Sequence, residues 1–122
     1  RRQMGIRDGA YTVVRPGEIS KKPGPAPWVR GRLLANPNGY HLFDSLAVDS
    51  AGNICVGSIP GNITVVSQDG QFHEDLAMPD PFPTNICFGG PGLKTAYVTL
   101  CGAGRLISID WPRPGAPLHF LN

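Results

Sequence analysis

A pattern of short apolar runs recurs in this chain after about forty residues, and it limits the possible folds more than any other feature of the sequence. The stretch Asp44-Ser45-Leu46-Ala47-Val48-Asp49 has the alternation of Thr84-Asn85-Ile86-Cys87-Phe88-Gly89. A turn follows each, 50–53 and 90–94, and then a second run, Ile54-Cys55-Val56 against Ala96-Tyr97-Val98. The third run opens with Gly in both copies, at 61–66 and at 104–109. A fourth is expected from Gln71 to Met78 after the Asp69-Gly70 turn, and at about Leu118 to Leu121 in the second copy. Alternating apolar residues bounded by Gly, Pro, Asn and Asp mark strands joined by tight turns. Four short antiparallel strands in a unit of this length make one β-propeller blade, the alternative being a meander or sandwich with chance similarity.

Composition supports an all-β chain. With 16 Gly and 13 Pro among 122 residues, no helix longer than about two turns is expected. The 41% of apolar residues is too many for a disordered linker. An earlier stretch, Gly9 to Val14, matches the third run, and Gly31 to Ala35 offers a fourth strand behind a Pro-rich loop at 22–27. The expected organisation is one partial propeller domain of about two and a half blades: a half blade at 9–36, a blade at 44–78 and a blade at 84–122. Closed propellers have typically about four to eight blades, so this ring does not close alone. Apolar blade faces left at both ends then predict a homo-oligomer, most simply a two-fold dimer. The alternating positions assign the core to Leu46, Val48, Ile54, Val56, Ile63, Val65, Ile86, Phe88, Tyr97, Val98, Leu106 and Ile109.

Eleven Lys and Arg against nine Asp and Glu give a net charge of +2, too balanced to imply nucleic acid or an anionic membrane as partner. The basic residues Arg1, Arg2, Arg7, Lys21 and Lys22 read as solvated ends and loops. Cys55, Cys87 and Cys101 show no metal-ligand spacing and cannot all pair, so they are read as reduced, mostly buried thiols, consistent with a cytoplasmic protein. No apolar run approaches a membrane span, and the charged start of the sequence reads as something other than a leader.

Around Phe43-Asp44-Ser45-Leu46-Ala47-Val48-Asp49-Ser50-Ala51-Gly52-Asn53 the sequence resembles the senescence-marker-protein/gluconolactonase/luciferin-regenerating family of six-bladed propellers. The stretch Pro83-Thr84-Asn85, then Phe88-Gly89-Gly90 and Lys94-Thr95-Ala96-Tyr97-Val98-Thr99, is similar to the same family at matching spacing. The resemblance implies a lactonase-type hydrolase acting on a small-molecule lactone, with one divalent cation, Ca²⁺ or Zn²⁺, in the propeller funnel. Asp44 matches the family's metal-binding Asp and is carried over as catalytic base as well, with the Ser45 backbone carbonyl as a further metal ligand. The family's Glu and Asn ligands have no counterpart in this chain, so low activity is expected of it in isolation. The alternative function is a non-catalytic propeller module that self-assembles or completes a ring with a partner chain. A strictosidine-synthase-like propeller has no positive feature in its favour.

Taken alone, Asp44 reads as the carboxylate of an Asx-type turn or as a strand-opening carboxylate bonded to backbone amides. Asp49 and Asp69 read as turn formers, and Asn85 as a buried amide satisfying a loop. His41, His73 and His119 lack ligand spacing and are given no role. The 89–92 segment reads as a hairpin turn, since neither a helix nor the Lys of a phosphate loop follows it. Trp28 and Trp111, both beside prolines, suit the covering of a β core.

Overall fold

Runs of Ile, Val and Thr favour the extended backbone, and Gly or Asn at the ends of the runs lets the chain reverse; nine strands result among the described residues. The computed structural model describes residues 3–5, 10–12 and 34–119. Strands β1 (Gln3–Gly5) and β2 (Ala10–Thr12) pair with each other, antiparallel. A four-stranded sheet follows in simple sequence order, from β3 (Leu42–Val48) through β4 (Ile54–Ile59) and β5 (Asn62–Val66) to β6 (His73–Ala77). The next sheet has three strands, β7 (Pro83–Gly89), β8 (Thr95–Leu100) and β9 (Arg105–Asp110). The only helical element among the described residues is a 3-10 turn, Pro91–Leu93, inside the β7–β8 hairpin. This is the expected all-β propeller architecture. Among the described residues no helix is long and apolar enough to cross a membrane.

The two larger sheets pack face to face and share one core. Cys55, Ile63 and Val65 from the first sheet meet Ile86, Ala96, Val98, Leu100 and Trp111 from the second, all buried. Burial pushes the Cys55 thiol up to about 12, which leaves it an inert packing group. On the other face of the first sheet, Phe43, Val56 and Val66 form a second cluster with Leu34, Ala35 and Leu46. Gly57 shows how close the sheets come: a Cβ there would stand 2.7 Å from the Pro83 carbonyl oxygen at the start of β7. Only a residue without a side chain fits that approach.

Several assignments made from the sequence change here. Tyr97 and Val98 are neighbours in β8 and cannot share a face; Val98 takes the core and Tyr97 turns outward. Leu106 pairs with Thr99 on the same outward face and is 67% exposed. Val56 and Leu46 pack on the opposite face from Ile63 and Val65. Cys55 is buried as expected, whereas Cys87 and Cys101 are exposed, Cys87 because it pairs with outward Tyr97 and Cys101 because it sits in the β8–β9 turn. Asn85 is exposed rather than buried, its side-chain oxygen accepting the Ile86 backbone N–H at 2.8 Å.

The expected fourth strand of the second copy does not begin at Leu118, which is not in a strand; residues 120–122 lie outside the described ones. After β9 the chain instead runs back across the hairpin ends of both sheets. The Trp111 N–H donates to the Lys94 carbonyl, Gly115 N–H to Leu93, Ala116 N–H to Val48, and Ser50 N–H to the Pro114 carbonyl. Residues 111–116 are thus a strap between the sheets. Of the expected half blade, Ala10–Thr12 is a strand, while Gly31 to Leu33, the loop at 22–27, Trp28 and the basic residues at 1, 2, 7, 21 and 22 lie outside the described residues.

Candidate functional site

The ladder between β3 and β4 is in register at Leu42 with Ile59 and Phe43 with Ser58, and again at Leu46 with Val56. Two residues, Asp44 and Ser45, therefore face the single residue Gly57. This is a β-bulge, a device that bends a strand and re-aims its side chains. Both bulged residues are exposed, and the Ser45 hydroxyl lies 3.5 Å from the Asp44 carboxylate. β7 carries a bulge at the same place in its own ladder, where Thr84 is the extra residue between the Pro83–Leu100 and Asn85–Thr99 pairs. The Thr84 and Thr99 hydroxyls are 2.9 Å apart. Because Gly57 meets the backbone of Pro83 and Thr84, the two bulges sit beside each other where the sheets touch.

A lone exposed carboxylate can accept a proton from water or contribute one oxygen to a hard cation. Among the described residues no group of three His, Cys, Asp or Glu side chains could hold a metal ion. The described residues therefore do not make up a divalent-ion site by themselves, and Asp44 is the one acidic group at the bulge.

Three other aspartates are structural. Asp49 is 1% exposed; it accepts the N–H groups of Ala51 and Asn53 at 2.9 and 3.0 Å, the Asn53 amide at 2.8 Å and the Arg113 guanidinium at 2.7 Å. Burial pushes its carboxyl up, but the bonds from Arg113 and Asn53 and from the backbone outweigh that and hold it below the usual range. Turn formation was legible in the sequence; the ion pair that ties this turn to the 111–116 strap was not. Asp69 behaves as expected in its turn, accepting from Ser67 and the Gln71 N–H. Asp80 has no sequence signature, yet it joins the β6–β7 connection to the β8–β9 turn by accepting the N–H groups of Phe82, Gly102 and Ala103.

Of the histidines, His73 and His119 are exposed, while the His41 side chain is only 5% exposed and lies in a polar cluster with Ser58, Thr64 and Asp75. Sequence reading missed this cluster because its members are scattered over four strands' worth of chain.

The SMP-30/Gluconolactonase/LRE-like region pattern matches residues 19–102. The 6-deoxy-6-sulfogluconolactonase of Pseudomonas putida is 36% identical over 77 residues, 59% of this chain and 26% of that protein. Pentonolactonase XacC of Haloferax volcanii is 35% identical over 74 residues, 60% of this chain and 25% of its own length. The chain thus spans about a quarter of the length of these relatives. A crystal structure of a protein assigned as a gluconolactonase superposes with a TM-score of 0.58 at 26% identity, over 70% of this chain and 28% of the other.

Proposed function

The chain belongs to the SMP-30/gluconolactonase/LRE-like family, and from that premise we propose that it supplies part of the active site of a lactone hydrolase, with Asp44 as the reacting carboxylate. The observation that carries the reading is the bulge in β3, which turns Asp44 out of the ladder and leaves it exposed. The names of the two relatives point to sugar-acid lactones as the substrate class. In this role Asp44 takes a proton from a water as its oxygen attacks the lactone carbonyl carbon. The tetrahedral adduct then breaks its ring C–O bond, and the departing alkoxide takes that proton back from Asp44, which gives the open hydroxy acid and restores the carboxylate. A divalent ion held by Asp44 and the Ser45 carbonyl would polarise the lactone carbonyl or the attacking water, and it would need further ligands from beyond the described residues.

Ring opening of glucono-1,5-lactone, followed by acid release, tests the proposal. Turnover above the spontaneous rate should fall by about 10²-fold or more in Asp44→Asn, the size expected for loss of a general base. Equal rates in the two proteins would overturn it and favour the non-catalytic propeller module.

A further inference from the structure

The first sheet carries a polar line across all of its strands on one face. Its members are His41, one residue before β3, then Ser58 of β4, Thr64 of β5 and Asp75 of β6. The register places Phe43 opposite Ser58 and Thr64 opposite Asp75, so these side chains share one side of the sheet. Ser58 and Thr64 are fully buried at 0% exposure, whereas the Asp75 side chain is 33% exposed.

Hydrogen-bond chemistry fixes the direction of the line. The Asn38 carbonyl, 3.1 Å from His41 Nε2, can only accept, which puts a ring proton on Nε2. In the neutral ring Nδ1 then accepts the Ser58 hydroxyl at 2.9 Å. The Thr64 hydroxyl donates to Asp75 Oδ1 at 2.6 Å, and the other Asp75 oxygen stands 3.8 Å from His41 Nε2. A serine, a threonine and an aspartate thus surround one imidazole from three different strands.

The line ends at the bulge. The His41 ring stacks on Phe43, with centroids 5.3 Å apart and planes 14° from parallel. Phe43 is the last residue in register before Asp44. Its ring packs in one cluster with Val56 and Val66 and stacks on the imidazole. We infer that His41, Ser58, Thr64 and Asp75 are positioning residues for Asp44: they fix the Phe43 side of the bulge and so set where the Asp44 carboxylate points. Its value for catalysis rests on the lactonase reading of Asp44, but the mechanical coupling does not.

Nuclear magnetic resonance on the labelled chain tests this with readouts independent of turnover. The ring ¹⁵N shifts of His41 should show the Nε2–H form when the ring is neutral; a neutral ring protonated on Nδ1 would overturn the line as drawn. Asp75→Ala should move the Asp44 carboxyl ¹³C resonance. It should also speed amide exchange through Phe43 to Leu46 about tenfold, the size of one lost charged hydrogen bond, with β8 amides unchanged. Asp75→Asn keeps an acceptor for Thr64 and should stay within about twofold of the parent protein. Ser58→Ala, which nearly preserves volume, should act like Asp75→Ala. Bulge amides that do not respond, or β8 amides that quicken equally, would reduce the cluster to general stabilisation and overturn the inference. Should Asp44→Asn leave lactone turnover unchanged while the exchange coupling persists, the lactonase reading alone fails.

Discussion

A carboxylate removed from water needs donors on every side, and Asp49 has four of them. Removing the Arg113 side chain takes away the charged one, so Arg113→Ala should cost about 1.5–3 kcal/mol in denaturant unfolding. The pH dependence has a definite sign. Because the folded carboxyl lies below its ordinary 3.8, its stabilisation is complete above about pH 5 and is lost as pH falls below 3.8 through the folded value. In Arg113→Ala the folded value rises, so the acid loss attributable to Asp49 should shrink and be complete at a higher pH, which stability curves between about pH 2 and 6 will show. The family pattern around Asp44 was legible in the sequence because it is local. His41 was not, since its partners Ser58 and Thr64 are 17 and 23 residues away and only the strand register brings them together.

At the level of strands, alternation announced where extended chain would form but not how each ladder was offset. One extra residue in β7, or two against one in β3, leaves no mark on hydrophobic spacing, yet these bulges turn Asp44 and Thr84 outward. The same blindness misassigned Tyr97 and Leu106, whose faces follow from pairing to Cys87 and Thr99 rather than from apolar character. Gly57 faces the β3 bulge and touches the start of β7. Gly57→Ala would press a methyl group to 2.7 Å from the Pro83 oxygen and 3.0 Å from the Thr84 carbonyl carbon, both backbone atoms with little freedom to give. The substitution should destabilise by about 1–3 kcal/mol, read as a lower melting temperature; an unchanged midpoint would show that the sheets can part there without penalty.

Across the whole chain, the face of the second sheet turned away from the shared core carries Thr84, Cys87, Thr95, Tyr97, Thr99, Leu106 and Ser108. That mixture is more polar than the apolar end face expected from the blade count. The self-association we expect therefore depends on β9, which pairs with β8 alone among the described residues and leaves one edge open. Light scattering at tens of micromolar should give a mass above 13.0 kDa, and Leu106→Lys, placing a charge on that edge strand, should bring it back. A single species of 13.0 kDa in the parent protein would reject association through this edge. The strap at 111–116 bears on how such a chain is made. Asp49 leaves the ribosome 64 residues before Arg113, so the first sheet emerges complete but with its buried carboxylate short of a counter-charge. Until the strap is synthesised the nascent sheet must keep that turn hydrated or loosely held, and the finished pair of blades is locked from its C-terminal side.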